Sequence, residues 1–226
     1  AGIATSDGQN IKCIKGKGLI TEVFNTETIN KMDGIHAIGH VRYSTDGGNE
    51  IENVQPIMVR AHTGHFGAVH NGQIVNASEL KEELENLGSI FQGSSDSEIM
   101  LHLIQREAGT FVEKIMGACR KMEGAYAFII MTKDCMYAVR DKNGLRPLSL
   151  AFLEDGELDI QHQGILHRTG RRQGVAPLDL GFFDVGQVDR HPLPRVGGRN
   201  GLVVDLEVAH LGKLFPGVDH DLVPLG

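Results

Sequence analysis

The sequence predicts a protein of the α+β class with a layered β-sheet, and three observations support this prediction. Strand-like apolar runs occupy residues 35–70, three segments with helical periodicity follow at 76–124, and further strand-like runs occupy 125–150. Strands and helices that are grouped along a chain, rather than strictly alternating, are typical of α+β domains. The length of 226 residues suffices for one large domain or two small ones.

The strand predictions depend on apolar runs that are bounded by turn residues. Thr63-Gly64 separates two of the strands, and Lys133-Asp134 joins two others as a predicted hairpin. A further turn at 141–144 leads into the last strand of this part of the chain. The predicted strands are residues 35–43, 55–61, 65–70, 125–132, 135–140 and 146–150.

Three helices are predicted between the two groups of strands, each opened by a capping signature. A residue that can cap a helix is followed three positions later by Glu, a spacing that satisfies the first backbone N–H groups of a helix. Apolar residues at helical spacing come next, and Gly88 ends the first helix. The three signatures are Asn76 to Glu79, Ser95 to Glu98 and Thr110 to Glu113.

Composition and charge exclude several classes of protein. The net charge is −7 and the isoelectric point is about 5.9, which argues against sequence-independent binding of nucleic acid. No apolar run approaches the ~18 residues of a membrane span, and no secretory signal is visible. Three widely spaced cysteines favour free thiols over a disulfide framework. We therefore expect a cytoplasmic protein with neither a membrane nor a nucleic-acid partner.

A change in composition predicts a boundary near residue 153. Residues 151–226 contain one Lys, one Thr, one Asn and no Ser, and they show no helical period longer than two turns. Apolar clusters at 202–204 and 211–215 are the candidates for short strands there. We expect a domain at 1–153 and an irregular, divergent tail at 154–226, which is either disordered or translated out of frame from a GC-rich gene.

Three polar positions are candidates for function, and each also has a structural explanation. Arg42 offers a planar donor fork that matches a carboxylate, or it forms a structural ion pair. Asn71-Gly72 is either a hairpin turn or an oxyanion hole, made by a side-chain amide and a backbone N–H. Asp96 caps a helix or accepts from a ligand ammonium group. Together they would recognise an α-amino acid with a reactive side-chain amide.

Several sequence runs resemble one family in both content and order. They resemble the glutaminase domain of the glutamine phosphoribosylpyrophosphate amidotransferases, which are class II glutamine amidotransferases. The resemblance covers about residues 1–150 and extends to the runs at 15–20 and 140–148. The runs that carry it are GHVRYSTDGG (39–48), ENVQP (52–56), AVHNGQIVNASEL (68–80) and SIFQGSSDSEIMLHLI (89–104).

The resemblance implies a fold and a role for each candidate residue. The family has a four-layer αββα sandwich, the N-terminal-nucleophile hydrolase fold, which we expect to be incomplete here. Arg42, with the help of Thr45, would bind the α-carboxylate of glutamine, and Asp96 its α-amino group. Asn71 and Gly72 would form the oxyanion hole. No metal site is expected, because His36 and His40 share a strand face without a third ligand.

The resemblance also implies an activity. In the family, an N-terminal Cys forms a glutamyl thioester, and the released ammonia reacts with phosphoribosylpyrophosphate in a second, Mg²⁺-using transferase domain to give phosphoribosylamine for purine synthesis. The family is homo-oligomeric. This sequence starts at Ala1. We therefore expect a truncated glutaminase domain that lacks the nucleophile and the transferase domain, holds no cofactor and is inactive alone.

Two alternative functions remain open from the sequence. One is a non-catalytic module that binds glutamine. The other is the glutaminase domain of a different amidotransferase, such as glucosamine-6-phosphate synthase. The ENVQP run and the Arg-Tyr-Ser-Thr form at 42–45 favour the phosphoribosylpyrophosphate enzyme.

Overall fold

The structure, a computed structural model, describes residues 1–41, 50–62, 64–153, 158–161, 172–177 and 208–211. The described strands form three sheets in which every pair of neighbouring strands is antiparallel. Helices pack on one face of the largest sheet. The predicted α+β class is confirmed.

The first sheet contains three strands in the order β2-β1-β3. Strands β1 (Gly2–Ser6) and β2 (Ile11–Lys15) form a hairpin, and β3 (His36–His40) pairs with the other edge of β1. Two single-turn helices, α1 (Ile20–Val23) and α2 (Thr26–Ile29), connect β2 to β3. Strand β3 lies within the predicted strand 35–43, of which residues 42 and 43 lie outside the described part of the chain.

The second sheet contains five strands in the order β11-β7-β6-β5-β4. The four strands predicted between residues 55 and 140 are confirmed to within a few residues. The strand predicted at 65–70 is longer than expected, because it continues through Asn71-Gly72 to Ile74. The strands are β4 (Ile57–Ala61), β5 (Gly64–Ile74), β6 (Gly124–Thr132), β7 (Met136–Arg140) and β11 (Val208–Leu211).

Three helices follow β5, as predicted: α3 (Ala77–Asn86), α4 (Ser97–Arg106) and α5 (Phe111–Lys121). The capping signature of α5 is confirmed, since the Thr110 side chain accepts from the N–H of Glu113 and the Glu113 carboxylate accepts from the N–H of Thr110. Within the described chain, no helix combines the length and apolar character needed to cross a membrane.

The capping prediction for α3 is wrong. The Asn76 side chain makes no capping bond. Instead, its Nδ2 donates to the carbonyl oxygen of Lys121 and its Oδ1 accepts from the N–H of Glu123, both at 2.9 Å. A long-range contact has replaced the local cap because the end of α5 comes close to the start of α3.

The capping prediction for α4 is also wrong, because the Glu98 carboxylate does not form the bond to the N–H of Ser95 that a capping box requires. The helix begins at Ser97, and the Glu98 carboxylate accepts from the backbone N–H groups of Gln92 and Gly93 rather than from that of Ser95. Glu98 therefore holds the loop that precedes the helix instead of closing a capping box.

Two apolar cores lie on opposite faces of the five-stranded sheet. Alternate residues of β5, such as Phe66 and Ala68, face helices α3 to α5, together with Phe128 of β6. Val69 of β5 faces the three-stranded sheet and packs in a core with Ala4 of β1. The described residues thus supply a helix layer and two stacked sheets of the expected αββα sandwich.

The third sheet has the order β10-β8-β9, from β8 (Ser149–Leu153), β9 (Leu158–Gln161) and β10 (Arg172–Pro177). The strand predicted at 146–150 begins three residues late, because the N–H of Arg146 bonds to the Asp141 carboxylate and Pro147 has no N–H. Of the predicted tail clusters, only Leu211 is described, as the last residue of β11. The origin of the tail stays a prediction.

Candidate functional site

The candidate site lies along an edge of β5 that the strands described by the structure leave uncovered beyond Ala68. The pairing of β4 with β5 ends at Ile57 and Ala68, whereas β5 continues to Ile74. Beyond that point, backbone N–H groups of β5 donate to side chains rather than to a neighbouring strand. The N–H of His70 donates to Oε1 of Gln55, and the N–H of Ile74 donates to Oδ2 of Asp96 at 2.9 Å.

The pleat of the strand places a third donor on this edge. In an antiparallel strand, backbone N–H groups point alternately to the two edges. Those of His70 and Ile74 point to the uncovered edge, so the N–H of Gly72 points to it as well, between Gln55 and Asp96. The edge therefore presents a backbone donor flanked by two polar side chains.

Asn71 and Gly72 lie inside β5 and pair with Ala127 and Tyr126 of β6, so the interpretation as a hairpin turn is wrong. Gly72 has a φ of +139°, a conformation that side-chain-bearing residues rarely adopt. The Asn-Gly pair is thus part of a distorted strand rather than of a turn. By alternation, the Asn71 side chain leaves the sheet on the same face as Val69.

Asp96 immediately precedes α4 and makes no side-chain capping bond, so the interpretation as a simple cap is also wrong. Besides accepting from Ile74, its carboxylate places Oδ1 3.7 Å from Nδ1 of His70. The side chain remains 26% exposed. A carboxylate at a helix N-terminus is stabilised by the helix dipole, and here it also faces the uncovered edge of β5.

A buried polar network, which sequence analysis missed, supports this edge. His70 stacks on the ring of Phe128 at a centroid distance of 4.2 Å, and its Nδ1 lies 2.9 Å from Oγ of Ser97. Gln55 donates from Nε2 to the same Ser97 oxygen at 3.2 Å. All of these side chains except the partly exposed Asp96 are buried, so the network sets the position of the edge. Its sequence signal was the presence of Gln55, His70 and Ser97 in the runs that carry the family resemblance.

The loop before α4 is clamped by two further buried residues. Oδ1 of Asn53 accepts from the N–H groups of Ser94 and Ser95, at 2.9 and 3.0 Å. Burial alone would raise the pKa of Glu98, but hydrogen bonds from His102, Gln92 and Gly93 outweigh it and hold the pKa below its usual value. The charged form of Glu98 therefore keeps the loop, and with it Asp96, in place.

Arg146 is a further residue at the site that sequence analysis did not single out. Its guanidinium donates from Nη2 to Oδ1 of Asn71, which links the loop after β7 to β5. The buried Asp141 accepts from the backbone N–H of Arg146 at 3.1 Å. The available signal was the run 140–148, which is part of the family resemblance.

The remaining predicted site residues, Arg42 and Thr45, lie outside the described residues, so their roles stay predictions. Asn71, Gly72 and Asp96 are brought to one stretch of β5. No group of three or more His, Cys, Asp or Glu side chains that could hold a metal ion occurs in the part of the chain that the structure describes.

The stacked antiparallel sheets and the helix layer on one of them are those of the N-terminal-nucleophile hydrolase fold that the resemblance implies. Residues 40–158 match the family described as "Glutamine amidotransferase domain". The chain belongs to this family, and the resemblance seen in the sequence is confirmed.

Several similar proteins are amidophosphoribosyltransferases. The one from Bacillus subtilis (strain 168) is 49% identical over 157 residues, which cover 69% of this chain and 33% of the relative. The one from Methanocaldococcus jannaschii is 46% identical over 153 residues, 66% of this chain and 32% of the relative. The chain thus spans about a third of the length of these relatives.

Two solved structures share the fold at the same level of identity. Glutamine phosphoribosylpyrophosphate amidotransferase from B. subtilis, in complex with ADP and GMP, has a TM-score of 0.64 at 47% identity and covers 68% of this chain and 33% of that one. A structure described as the allosteric regulatory enzyme of purine biosynthesis has a TM-score of 0.67 at 47% identity, with coverages of 70% and 35%.

Proposed function

We propose that this chain is the glutamine-binding part of an amidophosphoribosyltransferase. The protein would release ammonia from glutamine and pass it to phosphoribosylpyrophosphate, which yields phosphoribosylamine for purine biosynthesis. The observation that carries the proposal is the uncovered edge of β5, where the N–H of Gly72 lies between Gln55 and Asp96 and beside Asn71. The identity of 49% to a B. subtilis amidophosphoribosyltransferase supports phosphoribosylpyrophosphate as the acceptor of the ammonia, rather than the acceptor that glucosamine-6-phosphate synthase uses.

Each site residue has one task in the proposal. Asp96 accepts from the α-ammonium group of glutamine, and Arg42, with Thr45, binds the α-carboxylate through charge-assisted hydrogen bonds. Nδ2 of Asn71 and the N–H of Gly72 donate to the side-chain carbonyl oxygen of the substrate. These donors would stabilise the negative charge that develops on this oxygen when the carbonyl carbon becomes tetrahedral.

The reaction requires a thiolate next to this oxyanion hole. The thiolate attacks the side-chain carbonyl carbon, the C–N bond breaks, and the nitrogen leaves as ammonia after it takes up a proton. Water then hydrolyses the thioester to glutamate and regenerates the thiol. Family members use an N-terminal Cys whose own amine serves as the base.

None of the three cysteines in this chain has the character of that nucleophile. Burial raises the pKa of the half-buried Cys13 thiol, so little thiolate is present at neutral pH. Cys119 is buried in the helix core, and Cys135, like the other two, is internal and has no free α-amine that could serve as the base. We propose that the 226-residue chain by itself binds glutamine without hydrolysing it.

Isothermal titration calorimetry with L-glutamine tests the binding step. Asp96→Asn and Arg42→Ala should each weaken binding about 10- to 100-fold, because each removes a charge-assisted contact. Asp134→Asn, at an exposed turn, is the matched control and should bind like the unchanged chain. A folded chain that binds no glutamine, or Asp96→Asn that binds it with unchanged affinity, would contradict the proposed site.

A chimaera tests the catalytic step. An N-terminal segment of a family member that begins with the catalytic Cys is joined in front of Ala1, and ammonia release from glutamine is measured. We expect release from the chimaera and none from the 226-residue chain. Ammonia release by the chain alone, or an inactive but folded chimaera, would overturn this part of the proposal.

The remaining components of the proposal concern the whole protein. We assign no cofactor to this chain and expect a transferase domain to supply the Mg²⁺ that phosphoribosylpyrophosphate requires. We expect a homo-oligomer in the cytoplasm, where the three cysteines would remain thiols.

A further inference from the structure

The contact between Arg146 and Asn71 distinguishes the two possible orientations of the Asn71 amide. A side-chain amide can be turned over so that its oxygen and nitrogen exchange places, and only one of the two orientations suits an oxyanion hole. A guanidinium group carries five N–H donors and no acceptor. The Asn71 atom that faces Nη2 of Arg146 is therefore the oxygen, which turns the Nδ2 group away from Arg146.

The loop that carries Arg146 is held by its own hydrogen bonds. The Asp141 carboxylate accepts from the N–H groups of Asn143, Leu145 and Arg146, at 3.0 to 3.1 Å. Nε of Arg140 donates to the carbonyl oxygen of Arg146 at 2.6 Å. The backbone of Arg146 is thereby anchored at both its N–H and its carbonyl oxygen, so the guanidinium reaches β5 from a fixed support.

The Nε atom of the Arg146 guanidinium is buried and meets no acceptor among the described residues, so no second partner there draws this atom away from β5. The side chain as a whole is half-buried, so its attraction for an oxygen atom is only partly screened by water.

We propose that Arg146 is a positioning residue for the amidotransferase reaction: it selects the Asn71 orientation in which Nδ2 faces the substrate oxygen. The inference rests on the proposed function. In the opposite orientation, Oδ1 of Asn71 would face the developing oxyanion and repel it. The positive charge beside Oδ1 also polarises the amide and strengthens Nδ2 as a donor. The effect should therefore appear in the transition state more than in glutamine binding.

Kinetics of the chimaera test the inference. Arg146→Met should lower kcat for ammonia release about 10- to 100-fold while KM changes much less. Arg146→Lys should restore part of the loss, because an ammonium group can still donate to Oδ1. Arg120→Met, at an exposed helix position, is the matched control and should leave kcat unchanged.

A double-mutant cycle separates positioning from general structural support. In an Asn71→Ala chimaera there is no amide to orient, so adding Arg146→Met should cause no further loss of kcat. Losses that multiply would overturn the inference, as would an Arg146→Met variant that changes only KM. A chimaera that is inactive with Arg146 intact would contradict the proposed function, and the inference with it. An active chimaera whose kcat is unchanged by Arg146→Met would contradict the inference alone.

The contact itself has a readout that needs no activity. In ¹⁵N-labelled 226-residue chain, the side-chain NH₂ signals of Asn71 can be assigned from their disappearance in Asn71→Asp. Arg146→Met should shift these two signals, and Arg120→Met should not. Signals that stay in place in Arg146→Met would refute the contact.

Discussion

Gly72 meets two independent constraints, one from its own backbone and one from strand β6. Its φ of +139° disfavours any residue with a Cβ. A Cβ at this position would also lie 2.1 Å from the carbonyl oxygen of Ala125, far inside van der Waals contact. At the residue scale, the site thus depends on an approach of two backbones that only glycine permits.

Gly72→Ala should therefore lower the free energy of unfolding by about 2–5 kcal/mol, as strain and steric overlap add. Gly88→Ala is the control, because Gly88 has a φ of +87° but a Cβ added there would meet nothing within 4 Å. We expect Gly88→Ala to lower the free energy of unfolding only through backbone strain at positive φ, by about 1–2 kcal/mol. Urea denaturation measures both variants, and equal losses would show that the approach of β6 is unimportant.

At the scale of elements, the start of α4 is organised by Glu98, whose carboxylate accepts from the N–H groups of Gln92 and Gly93. These bonds, with the one from His102, hold the pKa of Glu98 below its usual value despite burial. A carboxyl whose pKa is lower in the folded than in the unfolded state stabilises the fold above its unfolded pKa. That contribution is lost as the pH falls through the folded pKa.

Glu98→Gln should consequently lower the free energy of unfolding more near neutral pH than at acidic pH. The difference in unfolding free energy between the unchanged chain and Glu98→Gln should shrink as the pH falls below about 4.3, the unfolded pKa of Glu. Glu82→Gln, at an exposed position of α3, should show a small difference at every pH. Denaturation curves between about pH 7 and pH 3 measure this, and a Glu98 difference that is independent of pH would contradict the role of its charge.

At the scale of the whole molecule, the five-stranded sheet is covered on both faces, by helices α3 to α5 on one side and by the three-stranded sheet on the other. The helix-side core contains fully buried residues of α4, such as Leu101 and Ile104. Because α4 also carries Asp96 at its start, packing of the helix against the sheet sets the distance between this carboxylate and β5.

Leu101→Ala should reduce the free energy of unfolding by about 2–5 kcal/mol, through lost burial and the cavity that remains. The matched control is Leu87→Ala at the end of α3, where the side chain is 58% exposed, and it should cost less than about 1 kcal/mol. Thermal denaturation compares the two. Similar losses in both variants would mean that α4 does not pack in the core as described.

The sequence by itself determined the class of fold, most strand and helix positions in 35–150, and the family, because hydrophobic periodicity and capping patterns are local properties of a chain. It also singled out Asn71, Gly72 and Asp96, but only as residues with two possible explanations each. Only the tertiary structure decided that Asn71-Gly72 lies within a strand, that Asn76 joins two helices, and that Arg146 contacts Asn71. These outcomes depend on contacts between residues that lie 45 to 75 positions apart in the sequence. Local sequence patterns do not predict such contacts, because the packing of sheets and helices determines them.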